Sequence, residues 1–288
     1  MKAIPGVPVL RLGEGPVWWG GVLWFVDIVA GKLCRYEPET GGYEDRVVAE
    51  LLGAAGPCDD GRWMLATERG LSLLDWGSGE VEVVSQVLAD TAFRFNDGKA
   101  DPAGRFWVGT MATGRDAGPG WLYRWEAGKG EPEAVLPGVT ISNGLDWSAD
   151  GKRMYYIDTP TRRVDVFDYD VASGSIRDRR TLVEIPEGKG SPDGMCLDAE
   201  GHAWVGFWGG RCVRRFDGQT GELLAEVAVP ALNVTSCCFG GENYETLYVT
   251  TASVGMSEEE RAELPEAGRV FSAEVGVGGR AGHVVRVG

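Results

Sequence analysis

The sequence predicts an all-β fold, a six-bladed β-propeller of four-stranded antiparallel blades. A short strand motif returns six times along the chain, as LWFVDI, WMLATE, FWVGTM, MYYIDT, AWVGFW and LYVTTA. Five steps of about 45 residues separate Trp24 in the first motif from Tyr248 in the last, the interval of one propeller blade. The 44 glycines suit a chain that turns every few residues.

Each repeat divides into four strands joined by short turns. The fourth repeat reads ISNGLDWS, RMYYIDT, RRVDVFDYD and RTLVEIP, with turns at ADGK and VASG. Val164 and Val166 alternate with Asp165 and Asp168, which is typical of a half-buried strand. The first and fifth repeats follow the same order, so we expect one propeller domain over residues 1–288.

One segment interrupts the last repeat. Residues 253–268, SVGMSEEERAELPEAG, carry the strongest helix pattern of the chain, because Ser257 can cap a turn that begins with three glutamates. Such an excursion from a propeller rim is either a solvated decoration or a lid over the channel. The sequence leaves both open.

Composition narrows the partners and the compartment. A net charge of −15 disfavours a nucleic acid or an anionic membrane as partner. No apolar stretch has the length of a membrane span, and the N-terminal segment lacks the apolar region of a signal peptide. We therefore expect a cytoplasmic protein, either a monomer or a weak homodimer.

The six cysteines show neither a CxxC pair nor zinc-ribbon spacing. In a reducing compartment they are expected to be small buried hydrophobic residues. The adjacent pair Cys237 and Cys238 adds a minor redox possibility.

Polar residues share one phase of the repeat. In a propeller the first strand of each blade lies nearest the central channel and begins at one mouth of it, about ten residues before each repeated aromatic position. The residues there are Glu14, Ala54, Asn96 with Asp97, Asn143, Asp193, and Cys237 with Asn233 nearby. Each is an ordinary turn residue when taken alone, and it is their common phase that indicates a site.

A cluster of Glu14, Asn143 and Asp193 around a channel would be costly unless a cation neutralised the two carboxylates. Oxygen ligands favour a hard cation, with calcium first and magnesium or manganese as alternatives. Zinc also stays open for a site with three ligands.

Other chemistries lose support. The chain has two histidines, and neither is in the mouth phase: His202 is expected in a surface turn and His283 at an exposed strand edge. A Ser-His-Asp triad and a histidine-rich zinc site are thereby excluded, and no nucleotide-binding loop or nucleophile elbow is present. Metal-assisted chemistry with a carboxylate as acid or base remains.

Several stretches resemble the senescence-marker-protein, gluconolactonase and regucalcin family of six-bladed propellers. They are GEGPVWW, RFNDGKADPAGRFWVGTM, ISNGLDWSADGKRMYYIDTPTRRVDVFDYD, SPDGMCLDAEGHAWVGFWGGR and NVTSCCFGGENYETLYVTTA. The resemblance implies a divalent cation bound by Glu14, Asn143 and Asp193, with Asp193 also the general base.

The same resemblance implies a metal-dependent lactonase that opens a sugar lactone to the aldonic acid. Arg94, Asn96 and Asp97 would hold the lactone, and Asp116 falls near the place of a further acidic substrate-binding residue. The alternatives are a calcium-dependent esterase or phosphotriesterase on this scaffold, and a calcium-binding propeller without catalytic activity.

The large aromatic residues divide into two groups. Trp24, Trp107 and Trp204 lie inside the repeat and are expected between the blades. Trp208 and Phe95 lie closer to the mouth and are candidates for a wall that faces the substrate.

Overall fold

A computed structural model of the protein describes residues 1–88, 92–114 and 118–288. Its strands form six four-stranded antiparallel sheets, and in five of them the strand order follows the chain order. The six sheets are the blades of a β-propeller, which confirms the predicted fold class.

The blades have the following strands. Blade 1 consists of β2 (Gly13–Trp19), β3 (Val22–Asp27), β4 (Lys32–Glu37) and β5 (Gly42–Val47), and blade 2 of β6 (Leu52–Pro57), β7 (Trp63–Thr67), β8 (Leu71–Leu74) and β9 (Val81–Ser85). Blade 3 consists of β10 (Phe93–Ala100), β11 (Phe106–Ala112), β12 (Gly120–Trp125) and β13 (Glu133–Val139). Blade 4 consists of β14 (Ser142–Trp147), β15 (Arg153–Asp158), β16 (Arg163–Asp170) and β17 (Ser175–Glu184). Blade 5 consists of β18 (Ser191–Leu197), β19 (Ala203–Trp208), β20 (Cys212–Phe216) and β21 (Leu223–Ala228).

Blade 6 closes the ring with both ends of the chain. It contains β22 (Asn233–Gly240), β23 (Thr246–Ala252) and β24 (Phe271–Glu274), and its outermost strand is the N-terminal β1 (Lys2–Ala3). Ala3 pairs with Phe271, so the first residues complete the last sheet. The ring is therefore tied by backbone hydrogen bonds.

Tryptophans of the repeat fill the space between blades. Trp24, Trp107 and Trp204 are all buried, as predicted. Trp107 packs against Trp147 of the next blade with ring centroids 6.1 Å apart. Its indole N–H donates to Asp101 Oδ2 at 2.9 Å, so the polar atom of this buried ring is satisfied.

The excursion of residues 253–268 lies between β23 and β24 and contains the helix α1 (Glu258–Glu263). Ser257 caps it as predicted: its side chain accepts from the Glu260 amide, and the Glu260 carboxylate accepts from the Ser257 amide. Within the described residues, no helix has the length and apolar character needed to cross a membrane.

Residues after β24 run across one face of the ring. Backbone hydrogen bonds tie Gly279 to blade 6, Val285 to blade 2 and Arg286 to blade 3. His283 lies in this segment and is half-buried, so the expected exposed strand edge is wrong. Burial lowers the pKa of its imidazole.

Candidate functional site

The innermost strand of every blade carries one irregularity at the same height. Its register against the second strand shifts between Glu14 and Val17, Leu52 and Ala54, Phe95 and Gly98, Ser142 and Leu145, Pro192 and Met195, and Val234 and Ser236. A β-bulge of this kind re-aims side chains out of the regular alternation. The polar residues identified from the repeat phase lie in or beside four of these six bulges.

The position in the repeat predicted the bulge residue less accurately in the other two blades. The bulge residue is Gly53 in blade 2 and Thr235 in blade 6, in place of the expected Ala54 and Cys237. Cys237 instead packs into the core between blades 5 and 6.

A cavity of about 230 Å³ lies among the first halves of the innermost strands. It brings together five of the predicted site residues: Glu14, Arg94, Asn96, Asn143 and Asp193. Asp97 is buried beside them without lining the cavity. Asp116 lies outside the described residues.

Two carboxylates of this cavity have no cationic partner. Glu14 and Asp193 are each 5% exposed, and neither forms an ion pair with any described residue. Within the described parts of the chain, Glu14 Oε2 accepts a single hydrogen bond, from the Gly15 amide at 3.0 Å. Burial, and then the charges of Asp193 and Asp97, raise the pKa of Glu14 well above its usual value.

Asp193 has the same electrostatic environment. Burial and the charge of Asp97 raise its pKa well above the usual value, while the Arg94 guanidinium acts in the opposite direction. Burial in turn lowers the pKa of Arg94 to about 10, so its guanidinium is charged at neutral pH. A surplus of negative charge is thus concentrated in a desolvated space.

A directional chain of hydrogen bonds orients the amides. Arg94 Nη1 donates to Asn96 Oδ1 at 2.8 Å, and Asn96 Nδ2 donates to Asn143 Oδ1 at 3.2 Å. Asn143 Nδ2 donates to Thr159 Oγ1 at 2.7 Å, and the Thr159 hydroxyl donates to the Pro192 carbonyl at 2.8 Å. The Thr159 hydroxyl donates its proton to the Pro192 carbonyl, so its oxygen must accept from Asn143 Nδ2. This fixes the orientation of the Asn143 amide. Its Oδ1 atom then keeps one lone pair free.

Two further aspartates hold the strands that carry the site. Asp27 accepts from the amides of Arg11 and Leu12, just before Glu14, at 2.9 and 3.1 Å. Asp158 accepts from the Ile141 amide at 2.8 Å, two residues before Asn143. Sequence reasoning missed this role and that of Thr159, although Asp27 and Asp158 occupy the same place in the motifs LWFVDI and MYYIDT.

The residues present fit a hard divalent cation. Glu14, Asn143 and Asp193 offer oxygen atoms only, and the single charge of Arg94 does not balance the two buried carboxylates. The set contains two carboxylates and one amide; across residues 1–88, 92–114 and 118–288, no group of three or more His, Cys, Asp or Glu side chains is arranged to hold a metal ion. A cation here would thus have open positions for other ligands.

Besides the polar side chains of Thr159 and Ser191, the cavity has an apolar wall. It is formed by side chains of Leu12, Ile28, Met111, Ile141 and Trp208. Trp208 lies where a wall residue was predicted, and Gly255 of the excursion is close to it, since a Cβ added at Gly255 would lie 3.8 Å from the Trp208 ring. Phe95 does not line the cavity; it is 1% exposed and packs edge-on against Tyr123.

Comparisons with known proteins identify the family. A family model described as the SMP-30/Gluconolactonase/LRE-like region matches residues 12–253. Regucalcin of Danio rerio is 40% identical over 265 residues, which cover 91% of this chain and 90% of the relative.

Two solved structures share the fold over nearly their whole length. A luciferin-regenerating enzyme superposes with a TM-score of 0.92 at 34% identity and 99% coverage of both chains. A calcium-binding protein, regucalcin from Agrobacterium tumefaciens, superposes with a TM-score of 0.92 at 28% identity, covering 97% of this chain and 95% of that one.

Proposed function

The chain belongs to the SMP-30/gluconolactonase/LRE-like family, and from this premise we propose that it is a metal-dependent lactonase that opens a sugar lactone to the aldonic acid. One observation carries the proposal. The buried carboxylates of Glu14 and Asp193 and the oriented amide of Asn143 line one cavity with the donors of Arg94 and Asn96. Family membership supports lactone hydrolysis, and the cavity supports the roles of these residues.

Glu14, Asn143 and Asp193 would hold the cation. Calcium is the preferred ion, since the set is all oxygen and a structural relative is a calcium-binding protein. When bound, such an ion supplies a positive charge that polarises a carbonyl and stabilises the oxyanion of its tetrahedral adduct.

The side chains then divide the remaining work. The Asp193 carboxylate accepts a proton from the water whose oxygen bonds to the lactone carbonyl carbon. The bond between that carbon and the ring oxygen breaks, and the ring oxygen takes up the proton from Asp193 and leaves as a hydroxyl. Arg94, held by Asn96, donates hydrogen bonds to substrate hydroxyls and orients the ring.

Chelation followed by re-addition of single metals tests this proposal. We expect the full-length protein to lose hydrolysis of aldono-lactones after chelation and to regain it with calcium or another divalent ion. Asp193→Asn should abolish turnover, whereas Asp178→Asn, an exposed aspartate on β17, should leave it unchanged. Full activity in Asp193→Asn, or no lactone turnover with any divalent ion, contradicts the proposal.

Two other outcomes identify the alternatives. Faster turnover of aryl esters or organophosphates than of lactones would assign an esterase or phosphotriesterase. Calorimetric cation binding without turnover of any of these substrates would assign a binding protein, in line with the calcium-binding structural relative.

A further inference from the structure

Two thiols from neighbouring blades touch in the core. Cys196 lies on β18 of blade 5 and Cys237 on β22 of blade 6, and their Sγ atoms are 3.7 Å apart. Both residues are buried, and both are free thiols in this structure. The strands that carry them are the innermost of their blades, so a bond between these sulfurs would join two blades beside the channel.

One of the two thiols faces an accessible space. A second cavity, of about 70 Å³, is lined by the second halves of all six innermost strands and is covered by residues 280–283. It lies at the other end of the channel from the candidate site. Cys196 and Cys238 line it and Cys237 does not. A space of this volume admits molecules of the size of water or peroxide.

The second cavity also carries a positive charge near Cys196. Lys99 Nζ donates to the Met195 carbonyl at 3.0 Å and lies 3.4 Å from Asp146 Oδ2. The Lys99 charge favours the Cys196 thiolate, while the hydrogen bond with Cys237, burial and the charge of Asp146 raise the pKa of Cys196. The thiolate is the reactive form, so oxidation is expected to be slow at neutral pH and faster at higher pH.

We propose that Cys196 and Cys237 are an oxidation site that forms a reversible disulfide between blades 5 and 6. A peroxide oxidises Cys196 to the sulfenic acid and is itself reduced to water. The Cys237 sulfur then attacks the Cys196 sulfur, and the sulfenic oxygen leaves as a second water with the Cys237 proton. Two thiols and one peroxide thus give one disulfide and two waters, and a dithiol reverses the reaction.

The adjacent cysteine is the competing partner. Neighbouring residues of a strand point to opposite faces, and Cys238 packs in the cluster around Tyr248 whereas Cys237 packs with Trp204. Cys237 is therefore placed to bond with Cys196 rather than with Cys238. The proposed disulfide therefore joins cysteines of two blades and not two neighbours in one strand.

Peptide mapping of the peroxide-treated full chain tests the proposal. Trypsin leaves Cys196 in residues 190–211, and Cys237 with Cys238 in residues 216–261. We expect these two peptides to be linked after hydrogen peroxide treatment, with the intact mass lower by two hydrogen atoms and both effects reversed by dithiothreitol. The link should form faster as pH rises and should raise the melting temperature by several degrees, because it constrains the unfolded chain.

Variants identify the partner. Cys237→Ser should abolish the link, while Cys238→Ser and Cys212→Ser, a buried cysteine of blade 5, should retain it. The absence of a linked peptide in the wild-type chain, with oxygen added to Cys196 instead, overturns the proposal even if a variant fails to fold. Persistence of the link in Cys237→Ser overturns it as well. Neither readout depends on lactone hydrolysis, so the outcome is separate from that of the proposed function.

Discussion

Replacing Glu14 by glutamine should stabilise the metal-free protein and abolish its response to calcium. Glu14 is buried, has one hydrogen bond and lies near the charges of Asp193 and Asp97. Glutamine keeps the shape and removes the charge. Removing the charge of a buried group that lacks a partner should raise the free energy of unfolding by about 1–3 kcal/mol.

The sign of the pH dependence follows from the pKa of Glu14, which is raised in the folded protein. Between its unfolded and folded pKa values, the folded wild type binds more protons than the unfolded chain, so its stability falls as pH rises. The advantage of Glu14→Gln should therefore be absent below the ordinary pKa of a glutamate and should grow with pH above it. The slope is limited to about 1.4 kcal/mol per pH unit for one titrating group.

Urea unfolding at several pH values, with chelator or with calcium, provides the measurement. Calcium at 100 times its dissociation constant should stabilise the wild type by about 2.7 kcal/mol and leave Glu14→Gln unchanged. Glu39→Gln is the matched control, because Glu39 is an exposed glutamate of the same blade. The reasoning is refuted if Glu14→Gln is less stable than the wild type without metal, or if calcium stabilises both equally.

Three further substitutions test other parts of the structure. Thr159→Val should lower cation affinity by about 10–100-fold in calorimetry, because the hydroxyl orients Asn143; unchanged affinity would show that the amide needs no such support. Arg94→Met should lower kcat/KM for lactones by about 10–100-fold without weakening cation binding, since charged hydrogen bonds to substrate are lost while a positive charge near the carboxylates is removed; a parallel loss of cation binding would argue against a substrate role. Asp101→Ala should lower the free energy of unfolding by about 3–5 kcal/mol in urea, because it leaves the buried Arg105 guanidinium without its carboxylate, 2.7 Å away; a change below about 1 kcal/mol would contradict this account.

Repeat phase was sufficient to find part of the polar lining of the cavity, because a propeller places equivalent positions of its blades around one axis. Glu14, Asn143 and Asp193 were identified in this way and line one cavity. The same repeat spacing was wrong by one or two residues at Ala54 and Cys237. A bulge breaks the alternation of a strand, and the length of the bulge varies between blades. Counting back from an aromatic position cannot anticipate that shift.

Contacts between distant segments were beyond the reach of the sequence. Thr159 bonds to Asn143 in its own blade and to Pro192 in the next blade. No local sequence pattern predicts a hydrogen bond between blades. His283 was misplaced for a similar reason: the segment after β24 has few backbone partners of its own and finds them on blades 2 and 3. Phe95 lies close to the bulge in sequence, yet its ring packs in the core.

The pairing of β1 with β24 sets the order in which the ring can be completed. Ala3 and Phe271, which pair, are 268 residues apart in the sequence. Until they meet, blade 6 lacks its outer strand. Closing a loop of this length is entropically slow, so we expect the pairing of β1 with β24 to be a late step of folding. The last folding intermediate should thus have five complete blades and a blade 6 that still lacks its outer strand.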